Sequence, residues 1–141
     1  MPTAGVRLFD DRKLTHATVL VEDTDEAIEW YTDKLGFEKR ADEEFAPGMR
    51  WVTVAPPKGE TEIVLQEPSK EFFGDEAETL RSRIGEGTVW VVETDDCRGT
   101  VADLEERGVT ITSDPEEVPW GVSAMFEDCY GNPYNLVESN E

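Results

Sequence analysis

The chain has 141 residues, with 33 Asp and Glu against 13 Lys and Arg, a formal net charge of −20 and a single histidine. A surface this acidic repels nucleic-acid phosphates and anionic lipid, and no basic patch offers a local exception, so neither is an expected partner. The length suits one domain with a real core, while 38% hydrophobic residues and four Trp argue against disorder.

Taken in chain order, the start has no apolar core of signal-peptide length and no later run is long enough to span a bilayer, so a cytoplasmic protein is expected. Residues 14–21 alternate and are rich in β-branched side chains, which predicts a strand. Asp23 or Thr24 then caps a helix to about Leu35, with Ala27, Ile28, Tyr31 and Leu35 on its buried side and Gly36 closing it. Strands follow over 37–41, 50–55 and 62–66, with Pro56-Pro57-Lys58-Gly59 as the turn between the last two. The segment 67–87 is a connector, lid or spacer, with a short helix over 76–83. Beyond it come a strand at 88–93, a helix at about 96–107, and strands at 109–112, 122–127 and 134–138, the last entered through the turn 128–133.

Both halves therefore read β-α-β-β-β, and they are related by a spacing of 72 residues. That shift superposes Asp23 on Asp95, Gly36 on Gly108 and Gly59 on Gly131. A fold of two copies tends to place its site where the copies meet. Two cysteines, Cys97 and Cys129, make no disulfide framework and read as resting thiols. The acids are spread along the chain, which suits a halophilic source and predicts stability that rises with ionic strength, an ordinary acidic cytoplasmic protein being the alternative.

Three local signatures carry a resemblance: His16 opening the first strand, Ala27-Ile28-Glu29-Trp30-Tyr31-Thr32-Asp33-Lys34-Leu35-Gly36-Phe37-Glu38, and Phe126-Glu127-Asp128-Cys129-Tyr130-Gly131-Asn132 in the last turn. On these the chain resembles the vicinal oxygen chelate superfamily, the glyoxalase, bleomycin-resistance and extradiol-dioxygenase group, from about Leu14 to Glu138. The final turn resembles that family's Asp-Pro-Asp-Gly-Asn pattern, with Cys129-Tyr130 as departures. The resemblance implies an α+β fold in which one domain, 1–141, holds two tandem βαβββ modules, 14–66 and 88–138, joined by 67–87. It also implies a ligand cleft between the modules and a homodimer.

Metal-using members of that family hold a divalent ion with His, Glu or Gln side chains, one from the first and one from the last strand of each module. Mapped residue by residue, His16 stands at the first position and Thr88 at its repeat equivalent. Asn135 is the final-strand position, and Ile63 or Val64 its counterpart, with Glu62 or Gln66 serving only in another register. His16 and Asn135 are thus an incomplete metal set, and no cofactor is the first expectation. A divalent manganese, iron, nickel, cobalt or zinc ion is the alternative.

Strand alternation places His16, Thr18 and Leu20 on one face of the first strand, and by the same parity Thr88, Trp90 and Val92 on the cleft face of the second module. Trp51, Trp90 and Trp120 are the aromatic candidates for contact with a ligand, ordinary core or dimer packing being the competing role for each. Trp30 reads as an inter-element or subunit contact. The candidate binding residues are therefore His16, Trp51, Thr88, Trp90, Trp120 and Asn135. Three functions remain open. One is a metal-free binder of a small organic molecule, of the bleomycin-resistance kind. Another is a lyase, isomerase or dioxygenase using a reduced metal site or a cleft carboxylate such as Glu62, and the last is a non-catalytic interaction domain.

Overall fold

The computed structural model describes residues 13–87 and 89–140. Thr88, a candidate site residue, lies outside the described residues. The first half contains β1 (His16–Leu20), α1 (Thr24–Lys34), β2 (Glu38–Ala46), β3 (Met49–Ala55) and β4 (Glu62–Gln66). The connector forms α2 (Lys70–Phe73), a 3₁₀ turn (Gly74–Glu76) and α3 (Ala77–Arg81), so its helical part starts earlier and is more broken than the predicted 76–83. The second half contains β5 (Trp90–Glu93), α4 (Cys97–Glu106), β6 (Thr110–Val118), β7 (Gly121–Glu127) and β8 (Pro133–Ser139).

Each half builds one four-stranded sheet, ordered β1-β4-β3-β2 and β5-β8-β7-β6. The first strand of each module lies parallel to the last, and the other neighbours are antiparallel. This is the expected pair of βαβββ modules. β2 and β6 run several residues beyond their predicted ends. Both are edge strands whose long charged stretches leave no apolar alternation to read.

Both helices start and stop by the same devices. Asp23 and Asp96 accept the amides of Glu26 and Gly99, each at the N-cap. Gly36 and Gly108 follow the helix ends with φ of 72° and 85°, a left-handed conformation that a side chain disfavours. A single apolar core joins the modules. Val19, Val52 and Leu65 from the first sheet and Tyr31 from α1 pack with Val101 and Leu104 of α4 and with Phe126, Tyr134 and Leu136 of the second sheet. Among the described residues, no helix is long and apolar enough to cross a membrane.

Candidate functional site

The ladder registers place the candidate residues, and they show that the spacing of 72 is an average. The amide of Val21 donates to the Gln66 carbonyl, as that of Thr94 does to Val137. Likewise the amide of Thr24 donates to Glu67 Oε1 at 3.1 Å, and that of Cys97 to Glu138 Oε1 at 2.8 Å. Equivalent positions are thus 73 residues apart from β1 to β5, since 94 − 21 = 73, and 71 apart from β4 to β8, since 137 − 66 = 71. Two single-residue losses account for the drift. Helix α4 has 10 residues against 11 in α1, and the β7–β8 turn has five residues, 128–132, against six, 56–61, between β3 and β4.

A one-residue slip exchanges the two faces of a strand, so it decides which side chains can meet. His16 is equivalent to Val89 rather than Thr88, Glu62 to Pro133, and Asn135 to Val64. Trp90 pairs in register with Tyr134 and packs partly buried against the core. The parity expected for Trp90 and Val92 is therefore reversed: Val92 packs beside the core, and Val91 stands on the open face.

The open face of the first sheet carries a compact polar group. His16 is the register partner of Glu62, and its Nε2 lies 3.5 Å from Glu62 Oε1. Thr53 Oγ1 donates to the same Glu62 oxygen at 2.7 Å, and Arg40 Nη1 stands 3.9 Å from Glu62 Oε2. The His16 and Trp51 rings approach with centroids 5.4 Å apart. Arg40 is largely committed elsewhere, since its Nη2 donates to the carbonyls of Pro56, Pro57 and Gly59. The structure thus brings His16, Trp51 and Glu62 together, and the apolar Ile63 belongs to the opposite, core face.

Asn135 stands on the second sheet, where its Nδ2 donates to Ser123 Oγ and to the Ala124 carbonyl, both at 2.8 Å. Its amide hydrogens are therefore spent on β7. Trp120 is 60% exposed just before β7 and belongs to neither polar group. For a metal, the donor set offers one adjacent pair, His16 and Glu62, while Val89 and Pro133 at the equivalent positions have no side-chain donor atom. No cluster of three or more His, Cys, Asp or Glu suited to a metal ion occurs among the described residues. The four-ligand arrangement does not fit this chain.

A cavity of about 280 Å³ opens at the seam between the modules. It is lined by Thr18 and Leu20 from β1, Arg83 from the connector, Trp90 at the start of β5, and Asn132 and Pro133 at the entry to β8. Trp90 is thus brought to a cavity, though not to His16 and Trp51. Parity had placed Thr18 and Leu20 on one face with His16, which does not line the cavity; Arg83, at the end of the helix predicted over 76–83, carried no signal for a site.

One wall of the cavity is rigidified from beneath. Asn132 Nδ2 donates to the Leu20 carbonyl at 2.9 Å, and the amide of Gly85 donates to Asn132 Oδ1 at 2.9 Å, tying the last turn to β1 and to the connector. Buried Asp128 accepts the Tyr31 hydroxyl at 2.5 Å, and Tyr31 shares a 2.8 Å hydrogen bond with the Tyr134 hydroxyl. Burial, then the neighbouring Tyr134 and Asp128, hold the Tyr31 phenol well above its ordinary pKa, so it stays a proton donor. Cys97 is buried and Cys129 exposed, both free. The Cys129 thiol is pushed up to about 11, first by desolvation and then by Asp128 and Glu26, which disfavours the thiolate.

Comparison with known proteins places this geometry. The sequence profile described as Glyoxalase/Bleomycin resistance protein/Dioxygenase superfamily matches residues 13–136. An uncharacterized protein of Bacillus subtilis (strain 168), YetH, is 31% identical over 90% of this chain and 98% of its own length. The crystal structure of UcmS2 superposes with a TM-score of 0.82 at 35% identity, covering 90% of this chain and 98% of that one. That of TnmS3, an antibiotic binding protein from Streptomyces sp. CB03234, gives 0.77 at 29% identity, covering 94% and 99%.

Proposed function

The chain belongs to the glyoxalase/bleomycin resistance protein/dioxygenase superfamily, and we propose that it binds a small organic molecule in the cleft between its modules without a complete metal centre. The observation that carries this reading is the seam cavity, where Leu20, Trp90 and Pro133 supply apolar surface and, among the described residues, no carboxylate intrudes. Lining of this kind holds a flat organic molecule by removing its apolar area from water, with few polar groups left to orient it. Similarity to an antibiotic binding protein over nearly the whole chain supports the same class of role, sequestration of a small molecule. Self-association belongs to the reading as well. Trp51 and Val91 stand 37% and 64% exposed on open sheet faces, and sedimentation equilibrium is expected to give a dimer.

A second reading, a metal-dependent lyase, isomerase or dioxygenase, is favoured by one observation, the 3.5 Å approach of His16 Nε2 to Glu62 Oε1. Metal analysis of untagged protein purified without chelator, with melting temperatures in manganese, iron, nickel, cobalt and zinc salts, separates the two. The binding reading expects little metal and no ion-specific shift. Near-stoichiometric metal, or stabilisation by one ion that disappears in His16→Ala, would replace it by the enzyme.

A further inference from the structure

The lining of the seam cavity also bears on the charge of its occupant. We infer that the ligand is an organic anion, a carboxylate or similar acid carried on a flat apolar body. This rests on the proposed binding at that cavity. In a chain with 33 acidic residues against 13 basic ones, the cavity lining, among the described residues, holds no acid and one cation, Arg83. Arg40, Arg50, Arg81 and Arg107 are each engaged, by carboxylates, by carbonyls or by both. Arg83 and Arg98, among the described residues, make no ion pair and no side-chain hydrogen bond, and of the two only Arg83 lines the cavity.

The remaining polar groups of the lining sharpen the inference. Asn132 is spent, its Nδ2 donating to the Leu20 carbonyl and to Asp128 Oδ2 while its Oδ1 accepts from Gly85. The hydroxyl of Thr18 has no partner among the described residues. What the cavity offers a ligand is therefore a guanidinium and a hydroxyl, both able to donate, beside the aromatic and apolar surface of Trp90, Leu20 and Pro133. A carboxylate matches that set, because guanidinium binds it through paired charge-assisted hydrogen bonds. A cationic ligand would be drawn by the net charge of −20 but would meet Arg83 and, among the described residues, no acidic side chain in the lining. A neutral ligand would leave the guanidinium without a charged partner.

Calorimetric titration with naphthoate and its uncharged analogue naphthamide tests this at an ionic strength of about 0.15 M, where a contact pair still counts. The wild-type chain is compared with Arg83→Gln, whose melting temperature verifies that the exposed turn tolerates the change. Naphthoate is expected to bind about tenfold more tightly than naphthamide to the wild type, and Arg83→Gln to erase the difference by weakening naphthoate alone. Equal affinities for the two probes, unchanged in the variant, would overturn the anion while leaving binding at the cavity intact. A naphthoate preference that survives Arg83→Gln would overturn the role of this residue. Saturable binding of neither probe would overturn both the inference and the reading beneath it.

Discussion

Asp128 is a carboxylate only 4% exposed, and four donors meet it: the Tyr31 hydroxyl, the Tyr130 and Asn132 amides, and Asn132 Nδ2. Burying such a group is tolerable because every lone pair facing the protein has a partner, and removing either side leaves the other unsatisfied. Asp128→Ala is expected to lower unfolding free energy by about 2–4 kcal/mol, read from urea denaturation, and Tyr31→Phe by about 1–3 kcal/mol. A change within the error of the measurement for Asp128→Ala would show that the turn is not a structural lock. Asp42 gives the acid limb of stability. Hydrogen bonds from Arg50, then from Lys39, lower its pKa to about 2. A depressed carboxylate contributes stability above its unfolded pKa of about 3.9 and loses it as pH falls through the folded value. Unfolding free energy should therefore drop between pH of about 4 and about 2, and that part of the drop should be missing in Asp42→Asn.

Each module docks its helix by a glutamate at the end of its last strand, Glu67 on the Thr24 amide and Glu138 on that of Cys97. The carboxylate meets unpaired amides at the positive end of the helix dipole, adding to the Asp caps. Glu138→Ala should cost about 1 kcal/mol, with Glu138→Gln keeping part of it, measured by thermal unfolding. Equal stability of the alanine variant would mean the amide is satisfied by water. At this level the fold was readable from the amino acids. Val19, Tyr31 and Leu65 announce themselves by alternation or helical spacing, and the Asp and Gly punctuation marks the ends. The site was less readable. The repeat spacing of 72 hides offsets of 73 and 71, so it aligned His16 with Thr88 and left Asn135 between Ile63 and Val64, where the ladders give Val89 and Val64. Only the hydrogen-bond register reveals the slip, because one residue lost in a helix and one in a turn leave the intervening glycines aligned.

For the whole molecule the governing quantity is the net charge of −20, whose self-repulsion opposes the compact state. Salt shortens the reach of that repulsion to about 3 Å at 1 M, so melting temperature should climb as potassium chloride is raised into that range. A flat or falling curve would show that local ion pairs, such as Arg50 with Asp25 and Asp42, already offset it. The modules, one core and one locked turn hold a cavity at their seam, and binding there is expected without a metal. Titration of chelator-treated protein with naphthoate tests this most directly, with Thr18→Trp to fill the cavity and His16→Ala to remove the one histidine. Saturable binding that survives chelation and His16→Ala but is lost in Thr18→Trp is the expected result. Binding that requires added metal and vanishes in His16→Ala, with Thr18→Trp unaffected, would place the chemistry at the His16–Glu62 face and contradict a metal-free seam.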